Sequence, residues 1–146
     1  MRRRPFFFGT TALIALAGAG CNVRPFTDTF LLVAVAPQVF VVTGPNRVVD
    51  AGQMIGLDAS QSGVSFGNGA FLSATDANLT FTWEIVSARD RATQTLLDIG
   101  ATGATLMHPN STDPTFMSPT PADYTLGCTA TNGILSGQGR TGVRVN

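Results

Sequence analysis

The chain of 146 residues is long enough for one domain and too short for two. Its nine cations are all Arg, three of them at positions 2–4, so a chain freed of that leader sets six Arg against nine acids. A mildly acidic domain without a clustered basic stripe excludes nucleic acid as a partner, because counterion release from a polyanion needs grouped cations.

Arg2, Arg3 and Arg4 form a cationic start, Phe6 to Ala17 a short apolar run, and Gly18, Ala19 and Gly20 a small-residue segment. This is the three-part layout of an export signal, expected over residues 1–20. Pro5 and Gly9 interrupt the run, which falls short of the roughly 20 apolar residues that span a bilayer. Two cleavage readings stay open. Leu16-Ala-Gly-Ala-Gly-Cys21 resembles the lipobox of bacterial lipoproteins, with Gly18 where that family favours Leu. The resemblance implies a diacylglycerol on Cys21 and attachment to a membrane through the lipid. Alternatively, Ala17-Gly-Ala19 is an ordinary A-x-A site, which leaves Cys21 a thiol able to pair with Cys128, the other cysteine of the chain. Arg3-Arg-Pro-Phe-Phe7 is also similar to a twin-arginine signal, with a generic basic start as the competing reading.

Residues 21–36 read as a lipid-anchored tether, polar around Pro25 and apolar from Phe30 to Ala36. Residues 37–146 read as strands. Leu79, Phe81, Trp83 and Ile85 fall on one face of a period-2 segment, against Thr80, Thr82 and Glu84. Tyr124, Leu126, Cys128 and Ala130 alternate in the same way with Thr125, Gly127, Thr129 and Thr131. Ile55, Leu57 and Ala59 form a shorter face, as do Val143 and Val145. Weaker strands are expected at Val39–Thr43, Thr95–Ile99, Ala104–Met107 and Thr115–Met117, and no segment shows a sustained helical period. Short one-sided strands between Gly, Pro, Asn and Ser turns predict an all-β antiparallel sandwich.

Three segments carry a more specific resemblance: Gly52-Gln-Met-Ile-Gly-Leu-Asp-Ala-Ser60, Leu79-Thr-Phe-Thr-Trp-Glu-Ile85 and Tyr124-Thr-Leu-Gly-Cys-Thr-Ala-Thr-Asn-Gly133. Over Pro37 to Val145 the chain resembles the immunoglobulin-like polycystic-kidney-disease (PKD) domain family. It departs from that family after the tryptophan, where Glu84-Ile-Val-Ser-Ala88 replaces D-F-G-D-G. The resemblance implies that Trp83 is the core tryptophan of strand C, Tyr124 the aromatic at the E–F corner and Asn132-Gly133 the F–G turn. Cys128 then faces inward on strand F. Strand B offers no cysteine to it, which implies a buried thiol acting as a small hydrophobe.

No catalytic set stands out. His108 is the single histidine and precedes Pro109 in a turn-rich stretch, which reads as a loop residue and not as a zinc ligand. Asp58, Asp76, Asp90 and Asp113 flank turns, where carboxylates more often bond their own backbone than hold calcium. No metal, no cofactor and no enzymatic activity is expected. The connections Ser60–Ala77 and Ser87–Asp113 are long, and Phe66, Phe71 and Leu72 in the first are candidate binding-loop residues. The function expected is a cell-envelope lipoprotein, at the cell surface or in the periplasm, whose domain binds a protein or polysaccharide. The alternative is a structural subunit of a surface layer or fibre, assembling through sheet edges.

Overall fold

The computed structural model describes residues 36–146; the expected signal at 1–20, Cys21 and the Phe30–Val35 stretch lie outside them. Eleven strands and one helical turn follow in order: β1 (Gln38–Phe40), β2 (Arg47–Val49), β3 (Ile55–Gly56), β4 (Gly63–Ser65), β5 (Phe71–Ser73), β6 (Thr80–Arg89), β7 (Leu96–Leu97), α1 (Ile99–Thr102), β8 (Thr105–Met107), β9 (Thr115–Met117), β10 (Ala122–Thr131) and β11 (Ser136–Val145). They build a five-stranded sheet in the order β2-β11-β10-β6-β7, a three-stranded sheet β3-β9-β8 and a second three-stranded sheet β1-β4-β5.

The three ten-residue strands β6, β10 and β11 are the backbone of the fold. Their β-branched and aromatic residues suit a pleated, half-buried surface. On β6, Phe81 and Trp83 are buried while Thr80, Thr82 and Glu84 are exposed. Leu126 pairs with Ile85 and Thr125 with Ser87, which leaves Val86 as an extra residue, a β-bulge. The bulge shifts the phase of the strand, so Ala88 faces inward and Arg89 outward. The strand therefore runs to Arg89, past the expected end at Val86.

Phe116 of β9 meets Tyr124 of β10 across the sandwich, ring centroids 5.2 Å apart and tilted by 58°. Around this pair pack Leu57, Ala59, Phe81, Trp83, Leu126, Cys128, Val143 and Val145. Burying an aliphatic or aromatic side chain of this kind stabilises by about 1.5–3 kcal/mol.

The edge segments differ from expectation in five places, the first being the strand expected at Val39–Thr43, which is Gln38–Phe40. At β3 the regular strand is only Ile55–Gly56, but Leu57 and Ala59 continue it by donating their N–H groups to Pro114 O and Thr112 O, each at 2.8 Å. The expected Thr95–Ile99 strand stops at Leu97, because Asp98 caps a helical turn with its carboxylate on Gly100 N, and Gly103 ends it at φ 66°. Arg47–Val49, for which no strand was expected, pairs in parallel with Val143–Val145. The Ser60–Ala77 connection holds the hairpin β4–β5, onto which β1 pairs through Val39–Val64.

Close approach explains two glycines. A Cβ on Gly137 would sit 2.5 Å from Val39 O, so β1 can lie against β11 only where the side chain is absent. A Cβ on Gly63 would strike both the Leu72 carbonyl and the ring of Phe71.

Candidate functional site

Trp83 is 3% exposed and points into the core. Its backbone N–H donates to Pro109 O at 2.7 Å and its indole N–H to Ser111 O at 3.1 Å, which ties the loop after β8 to β6. Cys128 lies beside it in register on β10 and is 1% exposed. Burial pushes the Cys128 thiol up to about 12, so it stays protonated and unreactive at neutral pH. Tyr124 opens β10, with its ring buried and its hydroxyl donating to Thr120 O at 3.0 Å and lying 2.7 Å from Ser118 Oγ. A strand-opening tyrosine bonded to backbone four residues upstream is a tyrosine corner. Together with β2-β11-β10-β6-β7 facing β3-β9-β8, it decides the architecture. The fold is an immunoglobulin-like sandwich.

In this immunoglobulin-like domain β3, β6, β10 and β11 occupy the places of strands B, C, F and G. Gly133 has φ 86° within a four-residue connection from β10 to β11, where Asn132 Oδ1 accepts from Ile134 N and Leu135 N.

The three candidate loop aromatics and aliphatics do not form one patch. Phe66 is half-buried at the hairpin tip, where its carbonyl accepts from Gly69 N. Phe71 and Leu72 are neighbours on β5, so they point to opposite faces. Phe71, 54% exposed, shares the outer face with Phe40, 60% exposed, while Leu72 shares the inner face with Val39 and Val64.

The polar candidates serve their own turns. Asp58 accepts from Ser60 N at 2.7 Å, and that bond holds its carboxyl below the usual range. Asp90 accepts from Ala92 N, Thr93 N and Thr93 Oγ1, with the same effect, led by the Thr93 bonds. Asp76 accepts from Ser73 Oγ, and Asp113 is exposed beside Thr112. Among the described residues no group of three His, Cys, Asp or Glu side chains is gathered as metal ligands. His108 is exposed in the left-handed region at φ 53°, and its carbonyl accepts from Ser111 N and Ser111 Oγ.

A different set of residues is brought together on the outer face of the five-stranded sheet. Val48, Arg144, Asp123, Arg89 and Leu96 stand in register on successive strands, so one rung crosses the whole sheet. At its centre Arg144 Nε and Nη2 donate to the two carboxylate oxygens of Asp123 at 2.7 and 3.2 Å. This fork holds Asp123 below the usual carboxylate range, with the charge of nearby Arg91 adding to the effect. Arg89 Nη1 donates to Gln94 O and Arg91 Nη1 to Asn146 Oδ1, both at 3.1 Å. Two shallow depressions of about 390 and 470 Å³ meet at Arg144 and Asp123. Arg47 lines the first and Arg91 the second. The sequence reading missed this row because its members are far apart in the chain and share a face only through strand register.

No protein-family model matches the sequence, and no curated protein matches it. Among solved structures, the chain is similar to a titin M10–obscurin-like 1 Ig complex, with 14% identity, a TM-score of 0.39, and coverage of 76% of this chain and 96% of that one. A point-mutant form of the same complex gives 15% identity and a TM-score of 0.38, covering 77% and 95%. The titin M3 domain gives 16% and 0.34, covering 75% and 96%.

Proposed function

We propose that the chain is an exported lipoprotein whose immunoglobulin-like sandwich, of PKD-like type, is a non-catalytic binding module for a protein or polysaccharide of the cell envelope. The cationic Arg2–Arg4, the apolar run Phe6–Ala17 and Cys21 directly after small residues support the address. Two or three acyl chains on Cys21 would hold the domain stably at a membrane surface, where a single chain would not.

The observation that carries the binding role is how the polar chemistry is divided. The nucleophile Cys128 is sealed in the core, and Asp58, Asp76 and Asp90 are used by their own turns. What remains available to a partner is the Arg-rich rung on the five-stranded sheet and the rims around it. A rigid sheet face suits recognition and supplies no general base beside a nucleophile.

The test is fractionation of cells expressing the full-length chain or Cys21→Ala, each with a photo-crosslinking residue at exposed Leu96. The wild type is expected in the membrane fraction, cross-linked into one defined complex, and Cys21→Ala in the soluble exported fraction. Recovery of the wild type inside the cell with Met1 intact would overturn the reading.

A second reading rests on the β1-β4-β5 sheet. Its outer face exposes Phe40 and Phe71, and its edge strand β5 has no further neighbour among the described residues. An apolar face beside an open edge favours assembly of copies by strand addition. Sizing of the detergent-extracted chain decides between the two: a monomer favours the binding module, a defined large oligomer the structural subunit.

A further inference from the structure

Charge in the sandwich is sorted along the length of its strands. From the β10–β11 turn inward, the first charged rung on β6, β10 and β11 is Glu84–Gly127–Arg140. The rungs before it, residues 80–83, 128–131 and 136–139, hold no acid or base over about 13 Å at 3.3 Å per residue. At the other end Arg89, Asp123 and Arg144 share one rung, about 26 Å from Ser136 by the same rise.

The β1-β4-β5 sheet lies at the uncharged end. Gly137 and Gly139 of β11 leave room for the carbonyls of Val39 and Val41, which sets Phe40 level with Gln138. Phe71 pairs with Ser65, and its ring reaches over Gly63, the partner of Phe40, where no side chain stands between the two. Both phenylalanines are exposed on the outer face, and Ile134, 90% exposed, stands in the β10–β11 turn. Among residues 36–42, 62–83 and 128–139, which build this end, Asp76 is the one charged residue, and its carboxylate accepts from Ser73 Oγ at 2.6 Å.

We infer that this end of the domain seats in the surface of a lipid bilayer, with Ile134, Phe40 and Phe71 in the headgroup–acyl boundary. Apolar groups at that boundary sink roughly 5–10 Å. The uncharged zone is deeper than that, so Glu84 and Arg140 stay in water and neither charge is desolvated.

Two further observations favour lipid over a protein partner. The exposed apolar groups protrude from separate elements, a turn and two strands, with neutral Gln38, Ser65 and Asn68 exposed at the same end. Fluid lipid fits around such groups, whereas a protein partner needs one packed, complementary patch. The apolar run Phe30–Ala36 of the sequence also leads through Pro37 straight into β1, so the chain enters the sandwich at this end. The inference goes beyond the lipid anchor proposed above. It assigns the domain itself a membrane contact, and with it an orientation in which Arg89, Asp123 and Arg144 face away from the lipid.

The experiment reconstitutes the purified full-length chain into phosphatidylcholine vesicles with an environment-sensitive fluorescent amino acid at exposed Ser136 or, as control, at Leu96. Emission from position 136 is expected to shift to the blue and to be quenched by spin-labelled lipid, and that from position 96 to do neither. Raising salt from 50 to 300 mM is expected to leave the quenching unchanged, because the contact carries no charge. Ile134→Ser/Phe71→Ser is expected to lose at least half of the quenching, and Val48→Ser, at the far end, none. Ile134→Ser alone, at a site with little packing to lose, is expected to remove at least a quarter of it with an unchanged melting temperature. No quenching at 136, equal quenching at 96, or an equal loss in Val48→Ser overturns the inference. A blue shift at 136 without quenching by lipid would place a second copy there and overturns it too. Absence of quenching on a chain that carries diacylglycerol at Cys21 strikes the inference and leaves the anchor standing; quenching on a chain without that lipid does the reverse.

Discussion

Tyr124→Phe removes one oxygen from the most buried polar contact of the sandwich. The hydroxyl donates to Thr120 O at 3.0 Å and sits 2.7 Å from Ser118 Oγ, while the ring stays packed on Phe116. The partners are not orphaned by the change, since Ser118 Oγ still donates to Thr120 O at 3.3 Å and accepts from Thr120 N at 3.1 Å. The expected loss is therefore that of net hydrogen bonding without an added desolvation penalty, about 1–2 kcal/mol. With unfolding entropy near 2.1 cal/mol/K per residue, a domain of about 110 residues loses roughly 4 °C per kcal/mol, so the melting temperature should fall by about 4–9 °C. Urea unfolding with an unchanged slope would confirm that stability alone moved. A double-mutant cycle with Ser118→Ala should show coupling between the two hydroxyls. A loss below about 0.5 kcal/mol, or no coupling, would refute the view that the corner anchors the β9–β10 connection.

Leu126→Ala, at a side chain with no exposure, should cost about 2–5 kcal/mol, read as a large drop in urea midpoint; a loss under 1 kcal/mol would contradict its place in the core. Cys128 should resist a maleimide in the native state at pH 8 and react at once in urea; rapid native labelling would mean that the strand opens. Because the folded thiol titrates near 12 and the unfolded one near 9, its contribution is fully present below pH 9 and is lost as the pH rises toward 12. Cys128→Ala should therefore show a shallower alkaline fall in stability than wild type. At the acid end the depressed carboxyl of Asp123 contributes stability above the ordinary carboxylate range, lost as pH falls through its lower folded value. Asp123→Asn should flatten the stability profile below pH 4, and an unchanged profile would show that the Arg144 fork contributes nothing. Gly137→Val should destabilise strongly by driving a side chain into Val39, and Gly133→Ala only modestly, through its positive φ.

Where alternation persisted for six residues or more, the sequence was informative. Thr80 to Ile85 and Tyr124 to Thr131 showed one dry face and one wet face, and they became the two central strands. The β4–β5 hairpin was not legible because three-residue strands rich in Gly and Ser cannot display a period. The helical turn at Ile99–Thr102 is shorter than any window that reveals 3.6-residue spacing, although Asp98 before it and Gly103 after it are ordinary cap residues. The Arg-rich rung depends on two facts that only pairing supplies: the bulge at Val86, which turns Arg89 outward, and the parallel register of β2 on β11, which sets Val48 beside Arg144. Phe71 and Leu72, adjacent in sequence, were read together as one loop surface, and strand geometry separates them onto two faces.

The address of the protein depends on residues before the sandwich, and Cys21 is the atom-level test of it. Intact-mass measurement of the membrane-extracted chain should show an N-terminus at Cys21 carrying a thioether-linked diacylglycerol. An unmodified chain beginning at Gly20, with Cys21 a plain thiol, would contradict the account of an anchored binding module.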